Sequence, residues 1–449
     1  MYLKSQPHTH SLHQIFIGFN KYRRGFLACT LAIWAAVPIL GIIFLLLYCQ
    51  INLSSSQNQA DRKPFFNLFP LILIVFTIGT YIATFKSFND TDIYISLYKS
   101  LIHESPFILP DIDMEPGSFI LPKYLSKLTD GNELAFLLFQ SLTMNTAFTF
   151  YSVIFIPEFY PLVILINIMS QGYYFQLFWM RQFYSFIFII PAIFTNIFWW
   201  RWICIYLAFY THNSSLIYGG VLAIASIKDV VIKIINDLRK SLIIKNKIDK
   251  PKLFVLVFSL LIIGSIVIFM GSFLESLGNL ASSDSSISSK ISVYSSDSDF
   301  NTENFTLISQ LRVILDYATI FIFVIGTDYR KADSTFFRWL ILLIVVFALY
   351  IGSFISGFNL RISVIFFCLP GFFYIIPLRS GKLDGQANIY TYILCSSILL
   401  RIIYFFNNLI TSYQVENYLT FWGGETLTTP ITGYIEFFFK CLVSGLRLI

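Results

Sequence analysis

Residues 203–227 read ICIYLAFYTHNSSLIYGGVLAIASI, an apolar run interrupted at its centre by Thr211, His212, Asn213 and Ser214. A bilayer core needs roughly 20 mostly apolar residues per helix, so the run is long enough for one continuous span. The alternative is a pair of half-helices that turn at the polar residues, which membranes permit where the broken backbone lines a protein-walled cavity. The choice determines on which side of a membrane the preceding half of the chain lies.

The composition of the chain indicates a polytopic membrane protein. Of its 449 residues, 56% are hydrophobic and 12% are charged, and the mean hydropathy of +0.70 lies outside the balance of ordinary soluble domains. We therefore predict an all-α bundle of about ten to twelve transmembrane helices, some of them broken. The candidate spans lie near 26–48, 65–85, 134–155, 160–177, 183–200, 203–227, 253–272, 307–325, 336–356, 362–378, 389–410 and 431–448.

The predicted domain organisation is simple. A basic N-terminal extension, 1–25, precedes a single polytopic membrane domain, 26–449, which carries polar loops at 86–133 and 273–306. The first apolar segment starts late, runs long and lacks a small-residue cleavage site, so we expect an anchor rather than a signal peptide.

Basic residues orient membrane proteins, because cytoplasmic loops carry an excess of lysine and arginine. The densest basic run lies within 228–252 and is predicted to be cytoplasmic, which puts 273–306 outside. A continuous span at 203–227 would then put Arg181 and the loop 86–133 in the cytoplasm, whereas a broken pair puts both outside. The charge count favours the continuous span, and the chemistry below favours the broken pair.

Several classes of function lack their sequence motifs here. The six cysteines form no CxxC pair and have no nearby histidine, which argues against zinc and against a disulfide framework. There is no phosphate-binding GxxxxGK[ST] loop, and the net charge of +6 is small for a nucleic-acid partner. We expect no metal, no cofactor and no nucleic acid.

Residues 178–186, FWMRQFYSF, place an arginine and a glutamine in an apolar, aromatic setting. An ionisable group at the centre of a membrane helix costs about 2.5–3.5 kcal/mol on insertion scales, so it is a functional candidate by default. Arg181 either extends to the lipid headgroups or binds an anionic ligand. Gln182 beside it favours the ligand, because the pair presents several planar donors.

Three further side chains are candidates on weaker grounds. His212 either bonds to a neighbouring helix or belongs to a polar pocket where the helix breaks, and it lacks the partners of a metal ligand. Arg312 and Arg361 lie near the outer ends of predicted spans. Each is either an interface anchor or, together with Arg181, part of a cationic ring at the outer side.

The loop 86–133 supplies carboxylates. Asp92 and Glu115 each adjoin an aromatic or apolar helical run, which would hold the carboxylate at the bilayer surface. Cationic side chains that bind phosphate, and a carboxylate that takes a proton from a hydroxyl, are the two parts needed to transfer a sugar from a lipid diphosphate donor.

These stretches resemble the EpsG family, relatives of the Wzy polymerases of bacterial surface polysaccharides. The similarity runs in order over roughly 70–440, with two departures: the family's usual tyrosine after the aspartate is Ile93 here, and the basic N-terminal extension before the first span is atypical. The MRQ and the downstream histidine form its most specific element. The matching motifs are NDTDIYISLY (89–98), EPG (115–117), MRQ (180–182), FYTHNSS (209–215), KISVYSS (290–296) and FNLRISVIFF (358–367).

The resemblance implies a multi-pass polymerase of GT-C-like architecture in the bacterial inner membrane. It would join oligosaccharide repeat units carried on undecaprenyl diphosphate at the outer face, with membrane lipids and other polysaccharide assembly proteins as partners. In this hypothesis Asp92 or Glu115 is the general base and Arg181 binds the donor diphosphate. The remaining roles are diphosphate binding by Arg312 and Arg361, positioning by Gln182 and His212, and stacking on sugar rings by Tyr94, Tyr98 and Trp422.

Two other functions fit part of the pattern. A flippase or transporter of lipid-linked oligosaccharide would carry its charges near the midplane and usually shows two related halves, which this sequence lacks. A glycan ligase, or a transferase using a polyprenyl-linked monosaccharide, would share the architecture and differ only in the shape of its acceptor pocket.

Overall fold

The computed structural model describes residues 24–55, 65–84, 89–103, 116–177, 179–212, 215–225, 334–353, 364–366, 368–380 and 429–446. Within these residues the regular structure is helical and no strand occurs, so the prediction of an all-helical fold is confirmed. None of the helices in this described part of the chain combines the length and the apolarity that crossing a bilayer requires.

The helices are numbered in chain order, and residues 24–36 form a further helical stretch before the first of them. They are α1 Pro38–Ser55, α2 Phe65–Ala83, α3 Asn89–Ser100, α4 Ile120–Leu128, α5 Glu133–Phe155, α6 Tyr160–Ile168, α7 Met180–Phe194, α8 Phe198–Thr211, α9 Ser215–Ala225, α10 Ser334–Ser353, α11 Pro370–Ser380 and α12 Ile431–Leu446. Short 3-10 helices occupy Leu101–His103, Pro116–Phe119 and Gln171–Gln176.

The chain divides into two compact units. The first unit comprises Met1–Pro110, Phe119–Met180 and Ile403–Ile449. The second unit comprises Asp111–Ser118 and Arg181–Ile402.

Helix α5 is the centre of the first unit, where it packs against α2, α6 and α12. Asn132 caps its N-terminus, because the side-chain oxygen accepts a hydrogen bond from the Ala135 amide at 3.0 Å. The same side chain donates to the Ser444 carbonyl oxygen at 3.2 Å, which joins the C-terminal turn of α12 to this cap. On the α2 side, a side chain at Gly79 would meet Leu142, so the two helices approach closely there.

A buried amide network joins α5 to the 3-10 helix Gln171–Gln176. Asn145 donates to the Gln176 side-chain oxygen at 3.0 Å and accepts from the Tyr173 hydroxyl at 2.7 Å. Its amide nitrogen also donates to the Ser141 carbonyl oxygen at 2.7 Å. All these side chains are at least 97% buried, so each bond offsets a desolvation cost that would otherwise remain.

The stretch 86–133, expected as a polar loop, contains helices α3 and α4. Tyr98 of α3 stacks on Phe136 of α5, with ring centroids 4.3 Å apart, and its hydroxyl is hydrogen-bonded to Thr129. Burial raises the pKa of Tyr98, so this phenol stays neutral at physiological pH. The turn before α5 has left-handed backbone at Asp130 and Gly131, a conformation that favours glycine.

In the second unit, α7 is held at its C-terminal end by a buried arginine of α10. Arg338, 2% exposed, donates from Nε to the Ile193 carbonyl oxygen at 2.7 Å and from Nη2 to the Asn196 side-chain oxygen at 3.2 Å. Arg201 donates to the neighbouring Thr195 carbonyl oxygen at 2.8 Å. Cations at this end of a helix satisfy its last carbonyl groups and interact favourably with its dipole.

The run 203–227 is broken, as the second of the two alternatives predicted. Helix α8 ends at Thr211 and α9 begins at Ser215. Position 219 contacts Ile205, since a side chain at Gly219 would lie 2.6 Å from Ile205 Cγ2. In one continuous helix these residues would be about 21 Å apart, so the chain turns back on itself at the polar residues.

Helix α8 presents aromatic side chains outward. Trp199 is 74% exposed, and Trp200, Trp202, Tyr206 and Phe209 are also exposed. Soluble monomers rarely expose so continuous an apolar face, which is typical of surfaces that meet lipid or another protein.

Asn145→Ala removes the hub of the amide network and leaves the buried groups of Tyr173 and Gln176 without their shared partner. We expect the free energy of unfolding to fall by about 2–4 kcal/mol, measured by chemical denaturation of the purified protein in detergent. Thr143→Ala is the matched control, because the bond that the Thr143 hydroxyl makes among the described residues stays within its own helix, to the Phe139 carbonyl oxygen. Equal losses for the two variants would contradict a structural role of the network.

Candidate functional site

Arg181 and Gln182 lie in the first turn of α7, which begins at Met180. The first backbone N–H groups of a helix lack intrahelical acceptors, and the positive end of the helix dipole lies there, so this is a favourable place for an anion. Arg181 is half-buried and adds a guanidinium to the same turn. Gln182 is 6% exposed, and its Oε1 has no hydrogen-bond partner within the described residues.

His212 lies at the break between α8 and α9. Its backbone is extended, with φ −161° and ψ 123°, and its N–H still donates to the Ala208 carbonyl oxygen at 3.0 Å. The Ser215 N–H then donates to the His212 carbonyl oxygen at 2.9 Å. The Ser215 hydroxyl is fully buried, and among the residues that the structure describes it has no hydrogen-bond partner.

An aromatic contact joins the N-terminal parts of α7 and α9. The rings of Phe186 and Tyr218 meet edge to face, with centroids 6.2 Å apart. Gln182 lies four residues before Phe186, and Ser215 lies three residues before Tyr218, spacings that put each pair on one helix face. Gln182 of MRQ and Ser215 of THNSS therefore border the same interhelical contact.

Gly117 brings a third motif to this region. An ideal Cβ at Gly117 would lie 2.6 Å from Tyr210 Cδ1 and 2.7 Å from the Tyr210 carbonyl oxygen. Such distances exclude any side chain, because the backbone of α8 cannot yield as a flexible side chain would. Gly117 of the EPG motif thus contacts Tyr210 in the last turn of α8, two residues before His212.

The other predicted residues of the described part lie in the first unit. Asp92 is exposed on α3, and the adjacent Thr91 donates its hydroxyl to the Leu177 carbonyl oxygen at 3.3 Å. Tyr94 and Tyr98 are 5% and 1% exposed, so a contact between either ring and a sugar would require α3 to move. Glu115, Arg312, Arg361 and Trp422 lie outside the described residues.

The described residues hold no group of three His, Cys, Asp or Glu side chains able to bind a metal ion. The cysteines in these same segments, Cys29, Cys49, Cys204, Cys368 and Cys441, are free thiols.

A comparison with protein-family models identifies the lineage of these motifs. The EpsG family model matches residues 69–421, most of the chain, a range that includes Gly117, Arg181, Gln182, His212 and Ser215. The chain belongs to the EpsG family. No curated protein and no solved structure gives a significant match.

Membership of the EpsG family, which is related to the Wzy-like polysaccharide polymerases, implies a membrane protein with a role in polysaccharide biosynthesis. The resemblance drawn from the sequence motifs is thereby confirmed. Three of these motifs of the EpsG protein, EPG, MRQ and THNSS, have described residues in its second unit.

Sequence reasoning missed the individual roles of three residues in this region. Gly117 was noted only as part of a motif, although its position between a proline and a helix already indicated a close backbone approach. Ser215 is only the last residue of the FYTHNSS motif in the sequence, which gives it no role of its own. Tyr218 gave no signal, because an aromatic residue in an apolar helix is typical of any core.

Gly117→Ala tests the contact between EPG and α8. The added methyl group would overlap the Tyr210 backbone, so we expect a loss of about 1–3 kcal/mol in the free energy of unfolding. Gly220→Ala is the control in the same unit, because nothing lies within 4 Å of its Cβ position. Alanine at this helical position is expected to stabilise by about 0.5–1 kcal/mol. If Gly117→Ala were as stable as Gly220→Ala, the close approach would be wrong.

Proposed function

We propose that this EpsG protein is a multi-pass membrane glycosyltransferase of GT-C-like architecture that polymerises oligosaccharide repeat units into a surface polysaccharide, whether capsule, exopolysaccharide or O-antigen. Its donor is a repeat unit on undecaprenyl diphosphate, and its acceptor is the terminal hydroxyl of another repeat unit. The observation that carries the proposal is the position of Arg181 in the first turn of α7, beside Gln182.

The reaction transfers a glycosyl group. The acceptor hydroxyl attacks the anomeric carbon, a new glycosidic C–O bond forms, and the bond from that carbon to the diphosphate oxygen breaks. The leaving diphosphate keeps the electron pair and gains negative charge in the transition state. Arg181 and the positive end of the α7 dipole stabilise that charge, and a bidentate guanidinium suits a diphosphate better than an ammonium.

A carboxylate accepts the proton of the acceptor hydroxyl. We propose Glu115 as this general base, because it precedes Gly117 by two residues in the chain, and Gly117 contacts α8 next to His212. Asp92 is the second candidate, from its motif in the sequence. Gln182 and His212 position the donor and the acceptor.

The other proposed binding roles rest on the sequence. Arg312 and Arg361 complete the cationic surface for the diphosphate, and Trp422 stacks on sugar rings. Tyr94 and Tyr98 would do so only in a state in which α3 has moved, because both rings are buried. Other polysaccharide assembly proteins are the proposed partners.

We propose that the site faces the outside of the bacterial inner membrane. Three observations support this: the 56% hydrophobic composition, the outward aromatic face of α8, and the break between α8 and α9. With the basic segment 228–252 in the cytoplasm, a broken 203–227 puts Arg181 outside. Action at the outer face is also what the resemblance to the Wzy polymerases implies.

Arg181→Lys keeps the charge and loses the guanidinium fork, so we expect polymerisation to fall by about 10²–10³-fold. The measurement is gel analysis of surface glycan in a deletion strain complemented with the variant, together with its amount in the membrane fraction. Arg24→Lys is the matched control, an equivalent change at an exposed residue far from the motif in the chain.

The glycan pattern separates the functions. Accumulation of single lipid-linked repeat units at normal protein level is expected for a polymerase. Polymer of normal length from Arg181→Lys would contradict the role of Arg181. Loss of all surface glycan in the deletion strain, with repeat units retained on the cytoplasmic side, would indicate a flippase.

A further inference from the structure

Two buried side-chain oxygen atoms in the described part of the second unit have no hydrogen-bond partner there. Gln182 Oε1 and Ser215 Oγ belong to side chains that are 94% and 100% buried, and neither makes a hydrogen bond within the described residues. Buried polar atoms in folded proteins are nearly always hydrogen-bonded, so an unpaired one calls for a ligand or an ordered water. Two of them border a single interhelical contact here.

The two oxygens belong to residues on the faces that form the Phe186–Tyr218 contact. Gln182 precedes Phe186 by about 6 Å along α7, and Ser215 precedes Tyr218 by about 4.5 Å along α9. A sugar ring is about as wide as these two distances along the helix axes. Each residue therefore lies within about one helical turn of the same contact.

Other buried hydroxyls of the same unit are satisfied by their own helices. Ser185 donates to the Gln182 carbonyl oxygen at 2.7 Å, and Thr211 donates to the Ala208 carbonyl oxygen at 2.8 Å. A hydroxyl inside a helix can bond the carbonyl three or four residues earlier. Ser215 is the first residue of α9, so no preceding turn of its helix offers that carbonyl.

The chemistry of the two groups selects their ligand. An amide oxygen only accepts hydrogen bonds, and an ionised phosphate has no proton to donate to it, whereas a sugar hydroxyl both donates and accepts. The Ser215 hydroxyl likewise suits another hydroxyl. Arg181, one residue from Gln182, is the group that suits phosphate.

We infer that Gln182 and Ser215 form a sugar subsite that hydrogen-bonds hydroxyl groups of the sugar attached to the donor diphosphate. This inference rests on the proposed function and adds the source of its donor specificity. A buried side chain that hydrogen-bonds a sugar hydroxyl discriminates strongly against a donor sugar that lacks this hydroxyl, because the side chain would then stay unpaired.

The test compares two probes that differ in the sugar. One probe is the lipid-linked repeat unit extracted from the deletion strain, and the other is undecaprenyl diphosphate without sugar. Binding of each to the purified full-length protein in detergent is measured for the wild type and for Ser215→Ala. We expect roughly 10-fold weaker binding of the sugar-bearing probe and unchanged binding of the sugar-free probe.

Ser185→Ala is the matched control, because it removes an equally buried hydroxyl that is already bonded within its helix. It should bind both probes as the wild type does. Ser215→Ala loses no hydrogen bond to a described residue, so its melting temperature should equal or exceed that of the wild type. Gln182→Met, which keeps the length of the side chain, must give the same probe-selective loss.

The outcomes distinguish this inference from the proposed function. Equal effects of Ser215→Ala on both probes, or no effect on either, would overturn the sugar subsite. The proposed function would survive if the sugar-free probe still bound and Arg181→Lys weakened both probes. A wild-type protein that bound neither probe would overturn both.

Discussion

The buried guanidinium of Arg338 is the contact on which the second unit depends. It comes from α10 and donates hydrogen bonds at the C-terminal end of α7. The last carbonyl groups of a helix receive no hydrogen bond from within the helix itself. A charge that is 98% buried is tolerable only when its donors are used, and here they meet Ile193, Asn196 and Thr335. These cations lie at the C-terminal end of α7. Arg181 and Gln182 lie at its N-terminal end, where the helix dipole favours an anion.

Buried amides serve two different purposes in this chain. Asn145 and Gln176 bond each other in a closed network, so they stabilise the position of a 3-10 helix and need no ligand. Gln182 is just as deeply buried, yet its oxygen meets no partner in the described residues. All three side chains are amides. Nearby hydrogen-bonding partners make Asn145 and Gln176 structural, whereas the Gln182 oxygen, which has none among the described residues, is a candidate for binding.

Sequence reasoning predicted best the helices that have no internal break. The predicted span 134–155 corresponds to Glu133–Phe155, because its capping asparagine and its long apolar run act together. In the predicted span 160–177, the α-helix ends at Ile168 and a 3-10 helix follows at Gln171–Gln176. Asn145, which is remote in sequence, holds this 3-10 helix through Gln176. The stretch 86–133 was expected to be a loop from its polarity, yet α3 is stabilised there by the packing of Tyr98 on Phe136.

The sequence by itself determined the helical class, the family, and the residue types of the site, because hydrophobic composition and short motifs are local properties of the chain. Only the tertiary structure decided that 203–227 turns back, that Gly117 meets Tyr210, and that Gln182 and Ser215 border one aromatic contact. These are distances between segments far apart in sequence. They follow from how side chains of different helices fill space and satisfy one another, which no local pattern records.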